Sequence, residues 1–322
     1  MKEARIDVSS TEIITKDLSK TYDDTVRAVN NLSLKIPGNT IYALLGPNGA
    51  GKTSTISMLT TMTKPTSGSA MVAGYDIVQQ ADRVRKQIGV TFQEIVLDPD
   101  LSGRESLIFH ARLYGLGKTE REKRAGELLR LMELEDAADR KTKTYSGGMK
   151  RRLELARGLI TGPSVLFLDE PTQGLDPQNR ANIWEYIRSL KASNSMTVLL
   201  TTHYMEEAEA LADRVGIMDK GEIIIEGTPR ELVDQMGADN IQIKGSGNKG
   251  SFEERCKLLK YVQSVNSTNG LIQIGVDSGN RRLVELIELA NKSNYSIEDV
   301  SVSKPSLDDV FLKYTGRQLR DK

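Results

Sequence analysis

An apolar run that ends in "LLGPNGAGKTSTI", Leu44 to Ile56, restricts this chain more than any other feature. Gly46-x4-Gly51-Lys52-Thr53 has the spacing of a phosphate-cradling P-loop, with a strand leading in and a helix leading out. Bare glycines let backbone N–H groups approach an anion, and the helix N-terminus adds partial positive charge. The candidate polyphosphate contacts are Gly46, Pro47, Asn48, Gly49, Ala50, Gly51, Lys52, Thr53 and Ser54. Among them, Lys52 reaches the β and γ phosphates, and the Thr53 hydroxyl offers an oxygen to Mg²⁺. Such a loop needs a buried strand behind it, which commits this part of the chain to an α/β layer.

Three runs, "TIYALLG" (40–46), "SVLFLDE" (164–170) and "MTVLLTTH" (196–203), read as strands buried on both faces of a parallel sheet. The second delivers Asp169 and Glu170 to a strand's carboxyl end, where open α/β sheets bind ligands. Asp169 suits Mg²⁺ through water; Glu170 suits orienting or deprotonating an attacking water. The transition state of phosphoryl transfer is loose, so placement outweighs basicity. Before the first run, "IITKDLSKTY" and "AVNNLSLKIPG" alternate like strands of an antiparallel flap.

Between Asp98 and Ile160 the strand signal gives way to an all-helical insertion. Ser102 with Glu105, and Thr119 with Glu122, form capping-box patterns. Leu107, Ala111 and Tyr114 define one apolar face, and Leu128, Leu131 and Met132 another. After Gly227 the order becomes β-α-β-β-α-β, which suits a small ferredoxin-like α+β domain with 245–251 as a loop. The expected domains are 11–230, with its helical part at about 98–160, and 238–322; the boundary falls near 225–238, and residues 1–10 read as a loose arm.

Lys plus Arg equals Asp plus Glu at 44 each, which argues against nucleic acid as partner. One cysteine allows no internal disulfide, and with two histidines it makes no zinc site, so a reducing, cytosolic compartment is expected. No apolar run approaches the ~20 residues that cross a bilayer, and the start has no apolar signal core.

At "YSGGMKRRLELARGL" (145–159) a family resemblance appears. With the P-loop, "TFQE" (91–94), "LDEPTQGLD" (168–176) and "TTH" (201–203), the chain resembles the ATP-binding cassette (ABC) ATPases, the nucleotide-binding subunits of ABC transporters. The motifs stand in the family's order over residues 12 to 230. "YSGGM" and "SVSKPSLDDVFLKYTGR" (301–317) resemble the drug- and antibiotic-export branch, of the daunorubicin-resistance type.

The resemblance implies a P-loop NTPase fold with an antiparallel β subdomain and a helical insertion. Two copies would sandwich two ATP molecules, with Ser146, Gly147 and Gly148 of one facing the P-loop of the other. Gln93 would contact Mg²⁺ and the water; His203 would donate to the γ-phosphate; Asp176 would couple the two sites. Tyr22 falls where the family stacks an aromatic ring on adenine, although a strand-end tyrosine also suits a core. Met149 replaces the family's usual glutamine: either a polar contact is missing, or Met149 packs with Leu153, Ala156 and Ile160. Lys150, Arg151 and Arg152 read first as a solvated helix face, with phosphate or partner contacts as the other reading.

The expected function is ATP hydrolysis that powers export through a separate membrane permease, at the cytoplasmic side of the membrane. The alternative is an ABC-type ATPase acting on ribosomes or DNA. Relatives of that kind usually carry two cassettes or a long coiled coil, and neither is present here. The C-terminal domain reads as a dimer-stabilising or regulatory appendage, or as a small-molecule sensor.

Overall fold

The computed structural model describes residues 12–315 apart from 24, 195, 236–238 and 269–270; the expected arm at residues 1–10 lies outside the described residues. The chain divides into two compact units, Met1–Thr228 and Pro229–Lys322.

The first unit opens with β1 (Ile13–Tyr22), β2 (Val26–Ile36), β3 (Ile41–Leu45), α1 (Lys52–Leu59), β4 (Ser67–Val72), β5 (Tyr75–Asp76), α2 (Ala81–Gln87) and β6 (Ile88–Thr91). The insertion follows as α3 (Gly103–Leu113), α4 (Lys118–Leu131) and α5 (Gly147–Leu159). Then come β7 (Val165–Asp169), α6 (Pro177–Asn194), β8 (Thr197–Thr202), α7 (Met205–Leu211), β9 (Arg214–Asp219) and β10 (Glu222–Gly227).

The large sheet runs β10-β9-β3-β8-β7-β6, and only the edge pair β10–β9 is antiparallel. Every residue of β3, β7 and β8 is buried, as their unbroken apolar and threonine runs require of strands covered on both faces. Because β3, β8 and β7 are neighbours and parallel, the chain leaves all three at the same edge, where the candidate site lies. The flap is a second sheet, β2-β1-β4-β5. Ile13, Ile36 and Val72 of the flap share one core with Ile56 of α1 and Phe167 and Leu199 of the large sheet.

Strand β6 has only four residues, one of them Gly89, too little pattern to be read from sequence. A Cβ on Gly89 would lie 2.1 Å from the Gly158 carbonyl oxygen of α5, so this glycine sets how closely the insertion's last helix approaches the sheet. Gly89→Ala is expected to cost about 2 kcal/mol, measured as a lower denaturant midpoint.

Among the described residues the insertion contains no strand, only an isolated bridge between Ser102 and Lys141. Ser102 caps α3 in a complete capping box with Glu105. The second expected box is absent. Gly117 occupies the N-cap of α4 without a side-chain bond, which places Thr119 inside the first turn. The expected faces also narrow at their ends. Leu107, Ala111, Leu128 and Met132 are buried, but Tyr114 caps α3 and is exposed, as is Leu131 at the end of α4.

The second unit contains α8 (Pro229–Asp234), β11 (Asp239–Gly247), α9 (Lys249–Lys257), β12 (Val262–Thr268), β13 (Leu271–Val276), α10 (Gly279–Lys292), β14 (Tyr295–Ser303) and α11 (Leu307–Thr315). Its sheet is wholly antiparallel in the order β12-β13-β11-β14, the ferredoxin-like arrangement expected. Ile241, Ile243, Phe252, Cys256, Leu286 and Ala290 form its core, so the one cysteine is buried. The stretch 245–251 is not a loop. Gly245 and Gly247 continue β11 against β14, and α9 begins at Lys249 after a single capping residue, Asn248.

Candidate active site

The loop after β3 turns into α1 through Gly51, whose φ is +108°. A Cβ there would lie 2.3 Å from the Ala28 carbonyl oxygen, so the tight turn excludes any side chain. Lys52, the first residue of α1, is buried with its ammonium folded onto the loop: Nζ donates to the carbonyls of Gly46 at 2.6 Å and Pro47 at 3.2 Å. It also lies 3.7 Å from Glu170 Oε1. Burial pushes the Lys52 ammonium below its usual value, an effect partly offset by Glu170 and Asp169.

Asp169 ends β7 and is buried. Its Oδ1 accepts from the Thr201 hydroxyl at 2.5 Å and, at 3.4 Å, from that of Thr53. Glu170 follows in the left-handed region, φ 48°, an uncommon place for a residue with a side chain. That conformation is held from the β8 side, where Glu170 N–H donates to the Thr201 carbonyl at 3.1 Å. Glu170 Oε2 stands 3.2 Å from His203 Nδ1. Burial pushes the Glu170 carboxyl up, but its contacts with His203 and Lys52 outweigh burial and hold it below the usual range.

The structure therefore brings Lys52, Thr53, Asp169, Glu170 and His203 together at the ends of three adjacent strands. Tyr22 ends β1 with its ring partly exposed and its hydroxyl 3.4 Å from Ser54 Oγ. Gln93 is not drawn into the cluster: its amide donates to Gln173 Oε1 at 2.7 Å.

Ser146 and Gly147 are exposed at the tip of α5, where the Ser146 hydroxyl accepts from Met149 N–H at 3.3 Å as an N-cap. Among the described residues, no hydrogen bond or ion pair joins Ser146, Gly147 or Gly148 to the loop at 46–53. Asp176 opens α6, accepting from Asn179 N–H at 3.0 Å and Asn179 Nδ2 at 2.5 Å. These hydrogen bonds hold its carboxyl below the usual range. Asn179 Oδ1 in turn lies 2.5 Å from where a Cβ on Gly148 would be, so the α5 tip and the Asp176 turn are neighbours.

The solvated face expected for the basic trio is overturned at Arg151, which is only 2% exposed. Its guanidinium donates to four backbone carbonyls: Pro171 at 2.6 Å, Phe92 at 2.6 Å, Glu170 at 2.8 Å and Asp169 at 3.2 Å. Arg152 is also engaged, donating to the Met132 carbonyl at 3.0 Å. Met149 is half-buried, whereas Leu153, Ala156 and Ile160 are buried. Two further residues went unread in the sequence, Thr201 and the buried Glu207. Glu207 Oε1 accepts from Thr172 Oγ at 2.8 Å and Trp184 Nε1 at 3.0 Å, bracing the acidic turn from behind. Thr201 stands two residues before His203 in "LLTTH", the one available sequence cue.

Two family models match this chain: "ABC transporter" over residues 29–173, and "ATP-binding protein DrrA1-3-like, C-terminal domain" over residues 227–315. The daunorubicin resistance ATP-binding protein DrrA3 of Streptomyces coeruleorubidus is 40% identical over 317 residues, 98% of this chain and 99% of that protein. The chain belongs to the ATP-binding subunits of ABC transporters, in the daunorubicin-resistance branch. The Nod factor export ATP-binding protein I of Cupriavidus metallidurans is 39% identical over 308 residues, covering 95% of this chain and 98% of its own. Among solved structures, the dimeric post-hydrolysis state of the ATP-binding cassette MJ0796 bound to ADP and Pi aligns with a TM-score of 0.62 at 28% identity. It covers 67% of this chain and 98% of its own. The family thus accounts for both units, the cassette fold in the first and the extension in the second.

Proposed function

We propose that this chain hydrolyses ATP with Mg²⁺ and drives export of a drug-like, antibiotic or lipid-like compound through a separate membrane permease. The single observation that carries this reading is the placement of Glu170, 3.7 Å from Lys52 and 3.2 Å from His203, one residue after Asp169. A carboxylate kept ionised between an ammonium and an imidazole, at the mouth of a phosphate cradle, is placed to orient and deprotonate a water. When polyphosphate enters, Lys52 exchanges its loop carbonyls for β and γ oxygens. His203 then has a γ oxygen to which it donates.

The residues fit a magnesium ion: Thr53 Oγ, Asp169 and Thr201 Oγ form an all-oxygen set around one carboxylate. No group of three or more His, Cys, Asp or Glu among the described residues could hold a metal; an ion held at this set would take its remaining ligands from phosphate and water. Bound there, it would neutralise charge on the transferring phosphoryl group. Gln93 Nε2 is engaged with Gln173 Oε1; in its expected role the amide oxygen would turn to the ion.

The relatives' names support the membrane role: one confers daunorubicin resistance, and another belongs to Nod factor export. No helix among the described residues is long and apolar enough to cross a membrane. The relatives' names as ATP-binding proteins suit a permease carried on a second polypeptide, with this chain on its cytoplasmic face. A groove of about 280 Å³ beside the Gln93 turn, lined by Phe92, Val96, Tyr114, Arg85 and Arg157, offers the docking place. Val96→Asp is expected to reduce recovery of the permease in co-purification without lowering the ATPase rate of the isolated chain. The ribosome- or DNA-acting alternative gains no support from these relatives.

The second copy expected as partner is supported by the dimeric MJ0796 cassette. The second unit serves dimerisation or regulation; a chain ending at residue 235 should then dimerise less or hydrolyse at a different rate, and no change in either would contradict that role. The function itself is tested by Lys52→Ala, expected to lower ATP turnover about 100-fold or more. A rate equal to the parent's would contradict the reading.

A further inference from the structure

Arg151 sits on the second turn of α5, the helix whose tip carries Ser146, yet it faces away from that tip into the protein. Its four hydrogen bonds reach two turns far apart in sequence, the carbonyl of Phe92 before Gln93 and those of Asp169, Glu170 and Pro171. A buried guanidinium is costly, and among the described residues no carboxylate forms an ion pair with this one; burial lowers its pKa, and Glu154 and Glu207 offset that from a distance. Such a group does what an apolar one cannot: a planar fork satisfies several carbonyls at fixed angles. One of those carbonyls belongs to Glu170, whose left-handed backbone persists only if its surroundings over-determine it. Thr201 holds the N–H side of that residue, and Arg151 holds the carbonyl side.

We propose that Arg151 is the positioning residue of the hydrolytic site: its guanidinium fixes the Glu170 turn and the Gln93 turn to one helix, so that displacement of α5 moves both. This rests on the ATPase reading above. Arg151 acts through the backbone of the residues placed to meet nucleotide and water.

The deciding variants, made in the full chain, are Arg151→Lys, which keeps the charge but not the fork, and Arg151→Met, which keeps only the bulk. Ile36→Ala, a core truncation in the flap outside both turns, controls for lost stability. Well below its melting temperature, Arg151→Lys is expected to lose about 100-fold in kcat, with nucleotide affinity held within about threefold. Ile36→Ala should change melting without moving kcat. Amide exchange at Glu170 and Gln173, which requires no turnover, should quicken in both Arg151 variants and not in the control. This readout stands even where the parent fails to hydrolyse ATP, an outcome that sinks the ATPase reading alone. Unchanged exchange and an unchanged kcat in Arg151→Lys would overturn the proposal. So would a loss of kcat that merely tracks the unfolded fraction.

Discussion

Glu170→Gln is expected to bind ATP about as well as the parent protein and to turn it over roughly a thousandfold more slowly. The substitution keeps the size of the side chain and leaves Lys52 its loop carbonyls at 2.6 and 3.2 Å, so the cradle stays formed. Only the anion is lost. A carboxamide cannot take a proton from water, and the placement between Lys52 and His203 then serves nothing. If hydrolysis is what separates two copies sandwiched on ATP, the ATP-bound dimer should accumulate. Steady-state phosphate release together with nucleotide titration separates the two effects; wild-type turnover would remove Glu170 from its assigned role.

Ser146→Arg is the second large effect. Ser146 is exposed and joined to its own P-loop by no hydrogen bond or ion pair among the described residues. Replacing it loses an N-cap worth about 1 kcal/mol, which leaves the fold standing. It also puts bulk and charge where a partner's nucleotide would meet the helix tip. ATP hydrolysis is expected to fall about 100-fold, while nucleotide affinity measured on monomer stays within about threefold of the parent. If binding and hydrolysis fell together, the contact would lie within one chain, and the sandwich would be wrong.

What could be read from the sequence was chemistry that tolerates few residue types. Gly51 must be bare because a Cβ there would meet a backbone oxygen at 2.3 Å, and Asp169 and Glu170 must follow a buried strand; both constraints leave letters in the chain. Arg151 left none. Arginine is almost never fully buried, so a basic trio on a helix reads as solvated. Its partners are moreover backbone carbonyls, which any residue supplies. The same limit hid Thr201, whose bonds depend on β8 lying between β3 and β7.

Local signals failed where a neighbour competed. Gly117 took the cap that Thr119 appeared to own, and the glycines of 245–247 extended a strand because β14 lies alongside to pair with them. Helix α11 was legible but unread: Ser306 and Asp309 are spaced for a cap, and Asp309 Oδ2 accepts from both Ser306 N–H at 2.9 Å and Ser306 Oγ at 3.0 Å.

The central claim is that a nucleotide triphosphate is held between Lys52 of one copy and Ser146 of another. Sedimentation of the Glu170→Gln chain with and without ATP and Mg²⁺ tests it most directly. The account predicts a shift from monomer to dimer on adding ATP, absent when Ser146→Arg is built into the same chain. A sedimentation coefficient that stays monomeric at every protein concentration, with nucleotide bound, would contradict it.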